Sequence, residues 1–560
     1  MPQLQLHPAA ARLPFQHLGP FVTTGAGGVL CIDASHAHVS HDEGGTWTSL
    51  PLFREPDRFK ASDERALLRT RQGTVIAAWV NLAEKSHAPG FRWGGSTEEY
   101  ALWVLPTYIC RSHDDGRTWD DPILLNRPWC GCIHSFIQTR TGRLVLVAQE
   151  VVPAWRHATV VFVSDDDGVT WQRSNVLDIG GAPHDHAGSC EGTVLERHDG
   201  SLYLLLRTET GFLHESTSSD GGLTWTESTA SSIPSVTCCA QLYRLADGSV
   251  ALLWNPPPRY DPRDGIKRDE LAIAFSTDEA RTWSGPHILA ADYPQPRVGD
   301  QWWRVSYPYL YERRPGELWV TTMQGDVRLR IAQPAISRAT IPLPPLIVMF
   351  GDSTTARRPG VVKEPYAVRV QQRLAAAGHT IAVANQGVGG NNTQHALARF
   401  ETDVLAFSPR LVVIQFGIND ASVDVWQQPP ATEPRVSATE FTANLRQLIR
   451  TLRTRGSAVI LMTTNRVYWS DILRGLYSAP PYDPLDYEGF NRPCLDHYND
   501  CIREVAATEH VPLVDINAAY AAHPDAASLL IADQIHPSDI GHALVADMLT
   551  PIILAELNKN

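Results

Sequence analysis

A serine, an aspartate and a histidine in the last part of the chain have the types and spacing of a nucleophilic hydrolase site. Ser353 ends the motif Gly351-Asp352-Ser353, and Asp533 precedes His536 by three residues. A serine hydroxyl becomes a useful nucleophile only when a neighbouring imidazole takes its proton. The short spacing lets one loop present His536 as the base and Asp533 as the group that orients it. We therefore predict a catalytic triad of Ser353, Asp533 and His536.

Strand-like and helix-like segments alternate around these residues. The strand-like runs are continuously apolar, which is typical of a parallel sheet that helices cover on both faces. Reactive groups in such sheets gather at the carboxyl ends of the strands. Ser353 follows the first run, and motifs at Asn385 and Gly417 follow the second and third. The predicted strands are 346–350, 381–384, 411–416, 459–462 and 512–516, and the predicted helices are 365–377, 394–407, 438–455, 497–509 and 540–557.

The four motifs, taken in order, resemble the four-block signature of the SGNH (GDSL-type) hydrolases. They begin at Gly351, Asn385, Gly417 and Asp533, and they span the whole second domain. The resemblance implies an α/β/α three-layer domain with a mostly parallel sheet, and a serine esterase that needs neither a metal nor an organic cofactor. No Gly-x-Ser-x-Gly nucleophile elbow occurs in the chain, which disfavours an α/β-hydrolase.

The same resemblance implies an oxyanion hole made by three donors. These are the backbone N–H of Ser353, the backbone N–H of Gly390 and the side-chain amide of Asn419, with Gly387 and Gly389 as alternatives to Gly390. Fixed donors stabilise the negative charge of the tetrahedral intermediate, and one donor contributes about 3 kcal/mol. A glycine is expected at the second donor because a side chain there would crowd the substrate carbonyl.

An eight-residue pattern, Ser-x-Asp-x-Gly-x-Thr-Trp, recurs five times in the first part of the chain. The copies begin at Ser40, Ser112, Ser164, Ser218 and Ser276, and the fifth copy has Ala280 in the Gly position. Asp and Ser side chains bind nearby backbone amides, Gly relaxes the backbone and Trp packs inward, so each copy predicts a hairpin turn. The 52 to 72 residues between copies suit a four-stranded blade. Five copies, with one blade that lacks the motif, predict an N-terminal all-β six-bladed propeller.

These turns are Asp boxes, and the region that carries them resembles the sialidase (BNR-repeat) superfamily. Four residues match the family's active site when they are compared one by one. Glu191 matches the glutamate, Arg207 and Arg268 match two carboxylate-binding arginines, and Tyr307 matches the nucleophilic tyrosine. A glutamate beside a tyrosine helps to deprotonate it, and arginine forks bind a carboxylate. The resemblance therefore implies a candidate glycan site in the propeller.

Other positions depart from the sialidase pattern. Asp63 falls where the family's first arginine is expected, and Arg65 replaces that arginine only with a register shift. Glu98 and Glu99 lie where the acid/base aspartate is expected. A different glycosidase or a glycan-binding propeller is therefore favoured over a true sialidase.

Several histidines near the candidate propeller site are further candidates for its lining. His134, His184, Asp185 and His186 fall in the same part of the sequence. His184, His186 and Cys190 also have a loose metal-ligand spacing, but no fourth ligand accompanies them. We predict ordinary loop residues here and no metal site.

Composition and charge limit the partners of this chain. The chain has 560 residues and a formal net charge of -13, which argues against a nucleic-acid surface. The apolar runs that the sequence shows are strand-sized, so we predict no membrane span. No signal peptide is recognisable and nine cysteines suit free thiols, so a cytoplasmic location is favoured, or a periplasmic or secreted one if a leader is missing. The predicted domains are 1–335, a proline-rich linker at 336–345 and 346–560.

The ester is predicted to be an acetyl group on a carbohydrate. Gly-Asp-Ser-Thr resembles the first block of plant-polysaccharide acetylesterases, no long apolar lid accompanies the site, and the domain is fused to a propeller of glycosidase ancestry. The predicted partner is an acetylated glycan that the propeller binds or positions. Two alternatives stay open: a bifunctional acetylesterase and glycosidase, or a lipid or aryl esterase with a scaffold propeller. The segment 466–492 is predicted either to line the pocket or to pack as a surface loop.

Overall fold

The computed structural model describes residues 4–86, 102–152, 156–181, 187–260, 267–292, 305–358 and 360–559. These residues form two compact units, and the boundary between the units falls between Pro342 and Leu343 along the sequence. Each unit has its own hydrophobic clusters.

The first unit is a six-bladed β-propeller, which confirms the prediction. In every blade, neighbouring strands pair antiparallel. The strands of blades 1 to 3 are Val22–Thr23, Val29–Ile32, His36–Ser40, Thr48–Pro51; Ala61–Arg69, Val75–Asn81, Val104–Ser112, Ile123–Pro128; and Ser135–Gln138, Leu144–Val152, Arg156–Ser164, Gln172–Arg173. Those of blades 4 to 6 are Cys190–Glu196, Leu202–Arg207, Phe212–Ser218, Thr229–Pro234; Gln241–Arg244, Val250–Trp254, Glu270–Ser276, Ser284–Ala291; and Ser306–Arg314, Glu317–Gln324, Arg328–Ala332.

The five Asp boxes form the turns between the third and fourth strands of blades 1 to 5. In the first box, the Ser40 hydroxyl donates to Asp42 at 2.9 Å and accepts the Gly44 backbone N–H at 2.9 Å. Asp42 also accepts the Thr46 backbone N–H at 2.8 Å, and the Trp47 indole N–H donates to the Gly44 carbonyl at 3.0 Å. Each residue type of the motif therefore holds the turn, as the pattern predicts.

Two short N-terminal strands complete the propeller. Ala11–Arg12 pairs with Arg328–Ala332 as the fourth strand of blade 6, with Ala11 opposite Arg330. Gln5–Leu6 pairs with the outer strand of blade 5. The ring is thus closed by strands from both ends of the first unit.

The segment after the last propeller strand packs on the propeller before the chain enters the second unit. Gln333–Arg338 forms a 3₁₀ helix, and Ile336 and Ile341 are fully buried. His7 Nε2 bonds the carbonyl of Ile336 at 3.0 Å. The propeller unit therefore reaches past the predicted end at residue 335, and the first part of the predicted linker belongs to it.

The second unit is built on a five-stranded parallel sheet, as predicted. In spatial order the first strand of the sequence lies between the second and the third, and the fourth and fifth follow. Continuous burial of the strands reflects helices on both faces. The strands are Leu346–Gly351, Ala382–Gly387, Leu411–Gln415, Ala458–Met462 and Leu513–Val514.

Helices connect the strands and cover the sheet. Alternate strand residues such as Ile347 and Met349 pack toward Tyr366–Ala376 and Asp539–Leu557, whereas Phe350 contacts Phe400 on the other face. The α-helices are Tyr366–Ala376, Thr393–Asp403, Ile418–Ala421, Ala438–Thr454, Asp471–Tyr477, Asp496–Thr508, Ile516–Ala522 and Asp539–Leu557, with a π-helical turn at Asn491–Leu495 and 3₁₀ turns at Leu405–Phe407 and Ala526–Leu529. A further 3₁₀ turn, Leu82–Glu84, lies in the propeller.

One helix in the described part of the chain, Asp539–Leu557, is long and apolar enough to cross a membrane by length and composition. Its residues Val545, Leu549 and Ile553 pack in the core of the second unit. The apolar composition of this helix therefore matches its place against the sheet. All nine cysteines are free thiols, and all except Cys494 are buried.

Candidate active site

Ser353, His536 and Asp533 form one hydrogen-bonded chain in the second unit. His536 Nε2 lies 2.8 Å from Ser353 Oγ, and His536 Nδ1 lies 2.7 Å from Asp533 Oδ2. Ser353 follows the first strand, whereas the other two residues lie in the loop before the last helix. With the proton on Nδ1, Nε2 is free to accept the serine proton, which is the arrangement that activates a serine hydroxyl.

Backbone hydrogen bonds fix the carboxylate of Asp533. Its Oδ1 accepts the N–H of Ile535 at 2.9 Å and the N–H of His536 at 3.0 Å. Burial opposes ionisation of this carboxyl group, but the hydrogen bonds from His536 and from these amides lower the pKa of Asp533 to about 2. Asn465 holds the same loop, because its side-chain amide donates to the Ile535 carbonyl at 2.8 Å. Asp533 is therefore ionised and held in place at neutral pH.

The turn that carries Ser353 is tightly packed. A Cβ at Gly351 would lie 2.1 Å from Thr355 Oγ1, so only glycine fits at the end of the strand. Asp352 is fully buried, and its Oδ1 accepts both the backbone N–H and the hydroxyl of Thr354 at 2.8 Å. Burial raises the pKa of Asp352. The first two residues of the motif thus shape the turn that presents Ser353.

The predicted oxyanion donors lie beside the serine. Ser353, Gly390 and Asn419 line one pocket, and Gly390 has a φ of +75°, a conformation that favours glycine. A Cβ at Gly389 would approach the Ser353 Cβ to 4.0 Å. Within the described part of the chain, neither the Ser353 nor the Gly390 backbone N–H donates to another protein group. Both amides are therefore available to a substrate oxygen.

Asn419 is held by its neighbours. Its Nδ2 donates to the Asn391 carbonyl at 3.0 Å, and its Oδ1 accepts Arg435 Nη1 at 3.2 Å. The adjacent Asp420 accepts the backbone N–H of Thr393 at 2.8 Å, which joins the second and third motifs. Burial raises the pKa of Asp420 to about 6. The amide of Asn419 is thus oriented before any substrate binds.

The pocket over Ser353 has a volume of about 330 Å³. The segment 466–492 supplies part of its wall, through Val467, Leu473, Tyr477 and Phe490. Of the two predicted roles of this segment, pocket lining is therefore the one the structure shows. The remaining lining residues are Ser353, Arg358, Gly389, Gly390, Ile418, Asn419, Ser422, Arg435, Ile535 and His536.

An ion pair that the sequence did not indicate lies at this pocket. Arg435 Nε donates to both oxygens of Asp424, at 3.1 and 2.9 Å, and its Nη2 adds a third bond at 2.7 Å. The indole N–H of Trp426 donates to the same carboxylate at 3.2 Å, and the Tyr477 hydroxyl does so at 3.4 Å. Trp426 stays 47% exposed. The carboxylate therefore joins an exposed indole to the pocket wall.

The four predicted propeller residues also converge. Arg207 Nη1 donates to Glu191 Oε1 at 2.6 Å and to the Tyr307 hydroxyl at 3.0 Å. The Tyr307 hydroxyl donates to the same glutamate oxygen at 2.9 Å. The guanidinium of Arg268 lies 5.3 Å from the Tyr307 ring centre. Glu191 and Tyr307 both have left-handed backbone, with φ of +48° and +58°, which is strain of a kind that gathers at functional sites.

Arg65 does not take the place of the first arginine of the family pattern in this cluster. The strand pairing in blade 2 does shift register between Ala61 and Arg65, as such a replacement would need. The Arg65 guanidinium nevertheless donates to the Ser62 carbonyl at 3.1 Å and to Asp63 Oδ1 at 3.0 Å. Glu64 is the neighbour of Glu191 instead. Burial raises the pKa of Glu64 to about 7, and the charge of Glu191 adds to the rise. Among the residues that the structure describes, Glu64 and Glu191 thus lie beside Arg207 and Arg268 in this cluster.

The other predicted members of the propeller site differ in their placement. His134 is buried, bonds the Pro308 carbonyl at 2.8 Å and stacks on Tyr309, so it packs in the core. Cys190 is a buried thiol in blade 4. Glu98, Glu99, His184, Asp185 and His186 lie outside the described residues.

Both units match protein families. Residues 349–544 match the GDSL-like Lipase/Acylhydrolase family, and residues 40–320 match the BNR repeat-like domain.

Three relatives each match part of the chain. An uncharacterized lipoprotein, YqeF, of Bacillus subtilis is 34% identical over 175 residues, which are 30% of this chain and 69% of the relative. An acetylxylan esterase of Geobacillus stearothermophilus is 31% identical over 174 residues, again 30% and 69%. A sialidase of Bacteroides fragilis is 26% identical over 279 residues, 45% of this chain and about half (48%) of that relative.

Proposed function

The chain belongs to the GDSL-like lipase/acylhydrolase family and carries a BNR repeat-like propeller, and on that premise we propose that it removes O-acetyl groups from a carbohydrate. The family and the related acetylxylan esterase identify a carboxylic ester hydrolase. The carbohydrate and the acetyl group are the parts that we propose. The observation that carries the proposal is the Ser353, His536 and Asp533 chain facing a pocket of about 330 Å³.

The pocket supports a short acyl group on a polar alcohol. Tyr477 and Phe490 are nearly fully buried and close one wall, and a pocket of this volume has little room for a long acyl chain beside a sugar. Arg435 and Asn419 present polar groups at the same wall, where sugar hydroxyls find hydrogen-bond partners. A lipid substrate would gain nothing from these groups.

The mechanism proposed for this site has two steps. His536 takes the proton of Ser353 while the serine oxygen attacks the acetyl carbonyl, and the oxyanion meets the amides of Ser353 and Gly390 and the side chain of Asn419. The sugar hydroxyl leaves with the proton from His536. Water then repeats the sequence on the acetyl-serine and releases acetate.

Acetate release tests this proposal directly. Acetylated plant polysaccharides and acetylated sialic acids are compared with p-nitrophenyl esters of increasing chain length. We expect acetate from at least one glycan and a sharp fall in p-nitrophenyl turnover beyond the two-carbon acyl group. Preference for longer chains, with no acetate from any glycan, would replace the proposal with a lipid or aryl esterase.

Trp426 is expected to contribute to sugar binding. Its exposed indole is oriented by Asp424, and sugar rings present apolar C–H faces that pack on aromatic rings. Trp426→Ala should lower kcat/KM for an acetylated oligosaccharide about fivefold to tenfold relative to p-nitrophenyl acetate, mostly through KM. Trp426→Phe keeps an aromatic ring but loses the hydrogen bond to Asp424. Its ratio of kcat/KM for the two substrates should therefore lie between those of the wild type and Trp426→Ala. If Trp426→Ala leaves the ratio of kcat/KM for the two substrates unchanged, the sugar does not pack on this indole.

A glycosidase in the propeller is the second candidate function, favoured by the hydrogen bond between Tyr307 and Glu191. Burial and the charge of Glu191 raise the pKa of Tyr307, so a base must remove its proton as it attacks. Glu191 is placed to do so. Arg207 stabilises the negative charge on both groups.

Tyr307→Phe tests this second function. We expect it to lower release of a terminal acidic sugar from a fluorogenic glycoside at least about 100-fold, because the nucleophile is lost. Acetate release should stay at the wild-type rate. Tyr309→Phe is the matched control, since its hydroxyl donates to the Asp63 carbonyl and not to Glu191. Equal glycoside hydrolysis by Tyr307→Phe and wild type would exclude Tyr307 as the nucleophile, and absence of hydrolysis by the wild type would limit the propeller to binding.

A further inference from the structure

Two arginines line the pocket over Ser353, and they differ in their partners. Arg435 is neutralised by Asp424, with three hydrogen bonds of 2.7 to 3.1 Å. Arg358 makes no ion pair and no side-chain hydrogen bond with any residue that the structure describes, and its Nε is buried without a partner. A guanidinium has five N–H donors and keeps its charge at every physiological pH. Arg358 is therefore a cation at the pocket whose donors the protein leaves unused.

Two carboxyl groups act on Arg358 electrostatically without forming an ion pair with it. They belong to Asp533 and Asp352. Asp533 accepts hydrogen bonds from His536 on Oδ2 and from two backbone amides on Oδ1. Asp352 Oδ1 accepts two bonds from Thr354. Partial burial of Arg358 disfavours its charge, so a ligand that brought a negative group would stabilise it.

We propose that Arg358 binds a carboxylate of the substrate, so that the esterase acts on O-acetylated sugars that carry a carboxyl group. The planar fork of arginine matches a carboxylate with two parallel hydrogen bonds. Ser353 and Arg358 line the same pocket of about 330 Å³, so one monosaccharide unit reaches both its ester carbon and its carboxylate. This inference rests on the proposed carbohydrate esterase function, and it narrows the substrate to acidic sugars.

The test compares carboxylated and neutral acetyl esters. The carboxylated substrates are an O-acetylated sialic acid and O-acetylated galacturonate oligosaccharides, which distinguish the two main sources of such a group. The neutral substrates are O-acetylated xylo-oligosaccharides and p-nitrophenyl acetate. We expect the wild type to prefer at least one carboxylated sugar about tenfold or more in kcat/KM over the xylo-oligosaccharides, with a preference that falls as salt is added.

Variants of Arg358 locate that preference. Arg358→Gln should lower the ratio of kcat/KM for the carboxylated over the neutral ester about 10- to 100-fold, mainly through KM. Arg358→Lys should retain part of the ratio, because it keeps the charge but loses the fork. Arg450→Gln, which removes an exposed arginine paired with Glu509, is the matched control and should leave the ratio unchanged.

Four outcomes overturn the inference. Equal falls with both kinds of substrate would mean that Arg358 acts through Asp533. An unchanged ratio in Arg358→Gln would mean that the carboxylate binds elsewhere. Efficient release of acetate from the xylo-oligosaccharides, without preference for acidic sugars, would contradict carboxylate binding by Arg358 but agree with a carbohydrate esterase. If no sugar releases acetate, both the carbohydrate esterase function and carboxylate binding by Arg358 are contradicted.

Discussion

Ser353→Ala should lower kcat for p-nitrophenyl acetate by roughly 10⁴- to 10⁶-fold, the largest effect that we expect from a single change. The hydroxyl that His536 contacts at 2.8 Å is the only nucleophile in the hydrogen-bonded chain. The oxyanion donors remain in the variant, so catalysis above the rate of water persists. Stability should change by less than about 0.5 kcal/mol, since no apolar packing is lost.

A second serine provides the control for this variant. Ser457 is buried at the amino end of the strand Ala458–Met462, and its hydroxyl donates to the Pro409 carbonyl at 2.6 Å. Ser457→Ala removes a serine hydroxyl as Ser353→Ala does, but it should keep the wild-type kcat. Turnover near the wild-type level in Ser353→Ala, with a normal unfolding transition, would exclude Ser353 as the nucleophile.

Asp533→Asn should lower kcat by about 10³- to 10⁴-fold. The two backbone amides that donate to Oδ1 select the oxygen of the new side chain, because an amide nitrogen there would face two donors. The NH₂ group is then directed at His536 Nδ1. That nitrogen must accept, so the proton moves to Nε2 and His536 cannot take the proton of Ser353.

The measurement is kcat for p-nitrophenyl acetate and for an acetylated sugar between pH 6 and 9. Asp525→Asn is the control, because Asp525 caps the turn Ala526–Leu529 in the same region and should be neutral for activity. The loss of kcat in Asp533→Asn should persist at high pH, because its cause is the tautomer of His536 and not the charge state of a free histidine. Recovery to wild-type turnover at pH 9 would contradict this explanation.

The periodic parts of the structure were predictable from the sequence. The Asp boxes determine turns through bonds among residues within one motif, so their pattern alone indicates five of the six blades. The parallel sheet is likewise readable from apolar runs such as Leu411–Gln415, which are buried throughout. These features are local, and local chemistry is sufficient to predict them. The catalytic roles of Ser353, Asp533 and His536 stay predictions, with a geometry that supports them.

The residues that we propose to determine specificity were not predictable in this way. Arg358 and the Asp424–Arg435 pair come from separate loops, and no spacing rule links them to Ser353. In the propeller, the irregular ladder between Ala61 and Arg65 interrupts the alternation of strand faces. Counting residues through that irregularity cannot show that Glu64 is the neighbour of Glu191. Tertiary contacts decide these positions.

The strand that closes blade 6 has a consequence for how the protein is made. Ala11 pairs with Arg330, so about 320 residues of chain separate the two partners. At translation rates of roughly 5 to 20 residues per second, the second partner follows the first by about 15 to 65 s. Throughout that interval the ring is open, and unpaired strand edges of this kind attract other chains. The unpaired edge of the nascent propeller is therefore exposed to other chains until residue 330 has been made, and the esterase sequence follows only after that point.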